Sequence, residues 1–207
     1  MVKDPSMKLY YLPGACSLAS LISLIEVGAK FEAVAVDRKT KKLPDGRDYN
    51  EVNPKGYVPA LELDDGEVLT ENTAVLPYIA DLNPSANLAP PVGTRERFRL
   101  QEWLGYLNAE MHRNFSPLFN PSMPEAAKQI SKDNIARRLA LIEARLGDKP
   151  FLMGENFTVA DAYLYVILSW RERVGVDISA FPKVTALYER VRARPSVKAA
   201  RKAEGLE

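Results

Sequence analysis

Cys16 follows the turn residues Pro13-Gly14-Ala15 and opens a run in which Leu18, Leu21, Ile22 and Ile25 recur at helical spacing. A thiol in the first turn of a helix meets unpaired backbone amides and the positive end of the helix dipole, which favour the nucleophilic thiolate. A lone cysteine is equally compatible with an inert core position, and Cys16-Ser17-Leu18-Ala19 lacks the second cysteine of a dithiol couple. Val58-Pro59 is the next candidate. With a cis bond its turn offers the Val58 N–H and C=O to an extended peptide, which can pair there as an added strand; with a trans bond it is an ordinary edge proline. Thr70-Glu71-Asn72 opens a helix whose free amides suit a carboxylate while Glu71 suits an ammonium, together a grip for an α-amino acid group. A glutamate that only complements the helix dipole has the same sequence signature. His112 shares a neutral polar stripe with Gln101, Gly105 and Asn108, beside the apolar stripe Leu100, Leu104, Leu107, Met111 and Phe115. Such a stripe suits a cleft, and a plain surface or core histidine is the alternative.

The elements that must carry these residues follow from local patterning. A strand over 8–12, a stop at Pro13-Gly14, a helix from Ser17 ended by Gly28, and a strand over 31–36 form a unit whose crossover makes the two strands parallel. Residues 39–53 read as a polar loop. The Asp64-Asp65-Gly66 turn between 60–63 and 67–69 predicts a hairpin, and 70–82 a helix ending before Asn83-Pro84. The expected fold is an α/β domain with a mixed four-stranded sheet over 7–84, a proline-bearing linker over 85–91, and an all-α domain over 92–207. Its helices are expected near 94–119, 124–146, 158–175, 181–193 and from Pro195. Residues 1–6 read as an N-terminal extension. Phe157-Thr158-Val159-Ala160-Asp161 is a capping box with a staple residue, for which loss of Asp161 is expected to cost about 1 kcal/mol.

Composition narrows the function classes. The 207 residues are 46% apolar and 27% charged with net charge +1, so no global field draws the chain to nucleic acid or an anionic membrane. The basic residues Arg190, Arg192, Arg194, Lys198, Arg201 and Lys202 read as a solvated helical face. One cysteine and one histidine exclude an internal disulfide and the usual multi-Cys zinc sites, so no metal is expected. No stretch reaches the ~20 apolar residues of a membrane span, and the expected location is the cytoplasm.

Taken together, Lys8 through Ser17, Asn53-Pro54-Lys55-Gly56-Tyr57-Val58-Pro59, Thr70-Glu71, Trp103-Leu104, Met111-His112, Ser116-Pro117-Leu118-Phe119 and Phe157 through Tyr163 resemble a bacterial beta-class glutathione S-transferase from Met7 to the C-terminus. The resemblance implies that the α/β domain is thioredoxin-like and that glutathione is the co-substrate, paired along Val58 beside a cis Pro59, with its γ-glutamyl end at Glu71 and the Asn72 amide. It implies further that Lys41, His112 and Arg113 approach the glycyl end and that Cys16 sits beside the glutathione sulfur, with Ser17 and His112 as auxiliary donors. Tyr11, Phe115, Phe119 and Trp170 are implied to line a pocket for a small hydrophobic electrophile, in a twofold homodimer. Gly105 stands where the family commonly has an asparagine, and Asn108 is expected to take over its role in the glutathione site. The implied chemistry is conjugation of the glutathione thiolate, with thiol-disulfide exchange through Cys16 as a second possibility. A reductase acting mainly by exchange and a non-catalytic ligand-binding protein of the same fold are the alternatives.

Overall fold

The computed structural model describes residues 7–206, so the expected extension over 1–6 lies outside the described residues. Residues 7–89 together with 195–206 form one compact unit, and residues 90–194 form the other.

In the first unit, strand β1 (Lys8–Tyr11) leads through the Pro13-Gly14 turn into helix α1 (Ser17–Glu26), and strand β2 (Glu32–Ala35) follows. Leu18, Leu21, Ile22 and Leu24 of α1 are all buried, the apolar stripe that seats the helix on the sheet. Gly28, at φ 68°, takes the left-handed conformation that ends the helix. Strands β3 (Ala60–Glu62) and β4 (Val68–Thr70) complete a four-stranded sheet in the order β2-β1-β3-β4. The β1–β2 pair is parallel and the β1–β3 and β3–β4 pairs are antiparallel, so the sheet is mixed, as the crossover and the hairpin require. Helix α2 (Asn72–Leu82) begins two residues later than expected, because Thr70 is spent on β4 and Glu71 makes the corner.

Two expectations for this unit change. The loop expected over 39–53 carries a 3-10 turn, Tyr49–Glu51, and is anchored by Leu43 and Tyr49, both in the core. The Tyr49 hydroxyl donates to the Tyr57 carbonyl at 2.7 Å, which holds the Val58-Pro59 turn from below. The last helix, α9 (Pro195–Ala203), expected as the end of the 92–207 domain, belongs to the first unit instead. It packs on α1, with Val197 and Ala200 buried and the Ser196 hydroxyl bonded to Glu26.

In the second unit, α3 (Arg95–Tyr106) runs into a π-helical turn, Leu107–His112, then α4 (Arg113–Phe115) and a 3-10 turn, Ser116–Phe119. The continuous helix expected over 94–119 therefore changes its winding at the residues of interest, as π turns often do near functional sites. Side chains take up backbone carbonyls of this turn: Asn114 Nδ2 donates to Glu110 O at 2.6 Å and Ser116 Oγ to His112 O at 3.3 Å. Helix α5 (Glu125–Leu146) follows, then α6 (Val159–Ser169), the short α7 (Arg171–Val174) and α8 (Pro182–Arg192). Ten residues of α6, Val159 to Leu168, are buried, which makes it the centre of this core. Some of the basic residues expected only to face solvent do more, since the Arg190 and Arg194 guanidinium groups lie over the Phe151 and Phe157 rings. Among the described residues no helix is long and apolar enough to cross a membrane.

Candidate functional site

Cys16 is the N-cap residue of α1, where the turn Leu12-Pro13-Gly14-Ala15 delivers it. Its Sγ donates to the Val58 carbonyl at 3.1 Å, and Val58-Pro59 is cis. Asn72, buried at the start of α2, donates from Nδ2 to the Cys16 carbonyl at 3.1 Å and accepts from Ser20 Oγ at 3.0 Å. The Asn72 side chain thus ties α2 to the cysteine's backbone and leaves only its main chain for a ligand. Ser17 corrects the expectation of an auxiliary donor: it is fully buried, and its hydroxyl exchanges bonds with the Leu12 N–H and C=O.

The ionisation of Cys16 is also corrected. Burial of the sulfur pushes the thiol up to about 12, with the charges of Glu71 and Glu204 acting in the same sense and the Cys16 and Ser17 amides opposing. Desolvation outweighs the helix terminus here, so the free protein holds Cys16 as a thiol that donates, not as the thiolate its position suggested. Behind the turn stands Glu204 of the C-terminal segment, whose Oε2 accepts from the Gly14 N–H at 2.7 Å. Its Oε1 is buried with no hydrogen-bond partner among the described residues, and burial raises the carboxyl to about 7 against the pull of the Gly14 amide. No local pattern in the sequence marks Glu204, which lies 190 residues from Gly14.

Glu71 forms the corner between β4 and α2 at φ 70°, a conformation that non-glycine residues seldom take and that clusters at functional sites. Its Oε1 accepts from Lys55 Nζ at 2.8 Å, and the same ammonium donates to Thr70 Oγ1 at 2.9 Å. Lys55 was missed by sequence reasoning, although its place in Asn53-Pro54-Lys55-Gly56 beside the cis turn was visible. Lys41, also left-handed at φ 58°, donates from Nζ to the Gly56 carbonyl at 2.9 Å. Cys16, Lys41, Val58, Pro59, Glu71 and Asn72 are therefore linked by direct or one-residue-removed bonds within the first unit.

A second group gathers in the other unit. His112 Nδ1 lies 2.8 Å from the Tyr163 hydroxyl, which donates to Asn108 Oδ1 at 3.1 Å. The imidazole also packs on Trp170 at 4.9 Å between centroids, and Phe115 and Phe119 meet the same indole at 5.9 and 6.0 Å. Phe115 and Trp170, expected as pocket walls, are 0% and 5% exposed and serve as core; Phe119 stays 42% exposed. Tyr11, in the first unit, is half-buried, and its hydroxyl is raised by burial and by Glu204. Arg113 is exposed beside His112. Asn108 is engaged by Tyr163, a residue the sequence marked only as part of the α6 motif. A Cβ at Gly105 would meet nothing within 4 Å, so no close packing demands glycine there.

The model of the glutathione S-transferase N-terminal domain matches residues 5–81, and that of the C-terminal domain matches residues 106–195. Glutathione S-transferase GstA of Escherichia coli O157:H7 is 44% identical, over 97% of this chain and 100% of that protein. A beta-class glutathione S-transferase of Sphingomonas chungbukensis is 50% identical with a TM-score of 0.92, covering 97% of this chain and 100% of its own. A sphingomonad glutathione S-transferase complexed with glutathione is 48% identical with a TM-score of 0.93, over the same shares. With both domain models matched in chain order and relatives this similar along the whole length, the chain belongs to the glutathione S-transferase family, as an enzyme of its bacterial beta class.

Proposed function

We propose that this transferase binds glutathione along the Val58 edge and conjugates its thiolate to small hydrophobic electrophiles, with Cys16 acting as a hydrogen-bond donor to the glutathione sulfur. The observation that carries this reading is the Cys16 Sγ placed to donate to Val58 O at 3.1 Å, with burial pushing the thiol up in the same sense. A donor at the helix mouth stabilises an incoming thiolate, whereas exchange through a mixed disulfide needs Cys16 itself as thiolate. Conjugation therefore leads and exchange is secondary. A non-catalytic role gains nothing from the comparisons, in which two relatives covered over their whole length are transferases by name.

Glu71 receives the γ-glutamyl ammonium and the N-terminus of α2 its carboxylate, a charge-assisted pair set by the corner between β4 and α2. Because Lys55 holds Glu71 in the free protein, the ligand's ammonium replaces one cation by another. Lys41 and Arg113 serve the glycyl end, and His112, implied both there and beside the sulfur, serves the thiol. The electrophile binds by apolar area, with Tyr11 and Phe119 as the side chains that remain accessible and Trp170 packed against Phe119. Two copies of the chain pair about a twofold axis, and the enzyme works in the cytoplasm.

Cys16→Ser tests the division of labour. Serine retains an O–H donor, so conjugation of glutathione to an aromatic electrophile should persist within about tenfold, the order of one donor's contribution, while reduction of a glutathione mixed disulfide disappears. Equal loss of both activities would show that the two roles of Cys16 are not separable.

A further inference from the structure

Tyr163 lies at the centre of the second unit's core, 0% exposed, so its hydroxyl is satisfied by protein groups. A tyrosine hydroxyl has one proton to give. That proton is directed to Asn108 Oδ1 at 3.1 Å, while His112 Nδ1 lies 2.8 Å from the same oxygen. With the proton committed to Asn108, the tyrosine oxygen is an acceptor toward the imidazole, and Nδ1 must carry the hydrogen. The ring cannot easily turn over to offer its other nitrogen. Tyr163 stands edge-on to it at 85° and 6.0 Å, and Trp170 packs against it at 4.9 Å. Asn108 and His112 both belong to the π-helical turn Leu107–His112, and both reach the same hydroxyl.

We infer that Tyr163 and Asn108 are positioning residues that hold neutral His112 as its Nδ1–H tautomer, so that Nε2 is the proton-accepting nitrogen. In place of the auxiliary donor that the resemblance implied, the neutral ring at Nε2 can take up a proton and cannot give one. The chemical consequence rests on the reading given above, in which His112 serves bound glutathione. On deprotonation of the glutathione thiol, the S–H bond breaks, its electron pair stays on sulfur, and the proton forms an Nε2–H bond. The resulting imidazolium then donates through both nitrogens and favours the thiolate. Tyr163 is to His112 what an orienting third group is to the base of a catalytic triad.

His112 is the only histidine in the chain, so ring-labelled protein gives one unambiguous pair of imidazole 15N signals. The spectrum is recorded on the alkaline plateau of the ring's own 15N pH titration, which selects the neutral form. Expected is a pyrrole-type Nδ1 and a pyridine-type Nε2 in the wild type. In Tyr163→Phe, which removes the acceptor, and in Asn108→Ala, which frees the Tyr163 proton to turn toward Nδ1, the signals should move toward the Nε2–H pattern. Asn108→Asp keeps an acceptor and should keep the wild-type pattern. A wild type with Nε2–H overturns the inference even if no variant folds, and so does an unchanged tautomer in Tyr163→Phe or Asn108→Ala. Adding glutathione to the same wild-type sample separates the two claims: signals that stay put while the tautomer is as stated refute the glutathione reading alone.

Discussion

Two buried carboxylates, one in each unit, show how differently the same type of group can be used. Asp161, in the first turn of α6, is fully buried and accepts from Leu152 N, Thr158 N and Thr158 Oγ1, each at 2.8 Å. Glu204, 6% exposed, accepts one bond, from Gly14, and leaves its second oxygen without a hydrogen-bond partner among the described residues. Desolvation raises both, Asp161 to about 6 and Glu204 to about 7. The saturated carboxylate braces a helix and a loop. The unsaturated one stands behind the cysteine turn, where its charge bears on Cys16 and Tyr11. Full satisfaction of a buried polar group marks scaffold, and partial satisfaction marks a place where charge is kept in play.

The largest expected effect breaks the saturated partner. Asp161→Ala strands three donors in the core, and chemical denaturation should show a loss of about 3–4 kcal/mol, well above the ~1 kcal/mol of a simple cap. A loss near 1 kcal/mol would mean that water reaches those donors and that the two carboxylates are not so different after all.

Next comes the pH dependence of the unsaturated partner. The carboxyl of Glu204 is raised in the folded state from 4.5 to about 7, so its contribution to stability is fully present below the unfolded value and is lost as pH rises through about 7. At about 1.4 kcal/mol per unit the window is worth roughly 3 kcal/mol. Glu204→Gln keeps an acceptor for Gly14 without the charge, so stability measured across this range should lose that part of its slope. Alkylation of Cys16 should also quicken as a neighbouring negative charge disappears. An unchanged slope would show that burial does not raise the Glu204 carboxyl.

The smallest effect concerns a carboxylate in water. Glu71 and Lys55 are each about half exposed, 55% and 52%, and such a pair is worth about 0.2–1 kcal/mol. Lys55→Met should therefore tighten glutathione by roughly 1.5- to 5-fold in calorimetry, and the gain should vanish in a Glu71→Gln background. A weaker affinity in Lys55→Met would make Lys55 a ligand contact instead of a competitor.

How much was readable in advance depends on the reach of each interaction. The Thr158-Val159-Ala160-Asp161 capping box was legible because its partners sit three residues apart, and both halves form. Cys16 at the helix mouth and Glu71 opening α2 were legible for the same reason, each being a short motif, whereas the dipeptide Val58-Pro59 left cis and trans open and only the family resemblance implied cis. Lys55, Glu204 and the Tyr163 support of His112 were not, since their partners lie 16, 190 and 51 residues away. The π turn was also hidden, because Leu107–His112 carries an ordinary helical pattern and its winding is fixed by packing and by side chains such as Asn114.

By itself the amino-acid order determined the sequence of strands and helices, the parallel and antiparallel pairings they permit, and the chemical types present at the site. Periodicity, turn residues and caps act over a few residues, and those interactions exist before the chain is folded. Only the tertiary structure decided that Cys16 is a thiol, that Ser17 and Asn72 face inward, that Phe115 and Trp170 are core, and that α9 closes the first unit. Protonation and satisfaction depend on how much water is excluded around an atom, and that exclusion is made jointly by residues far apart in the chain.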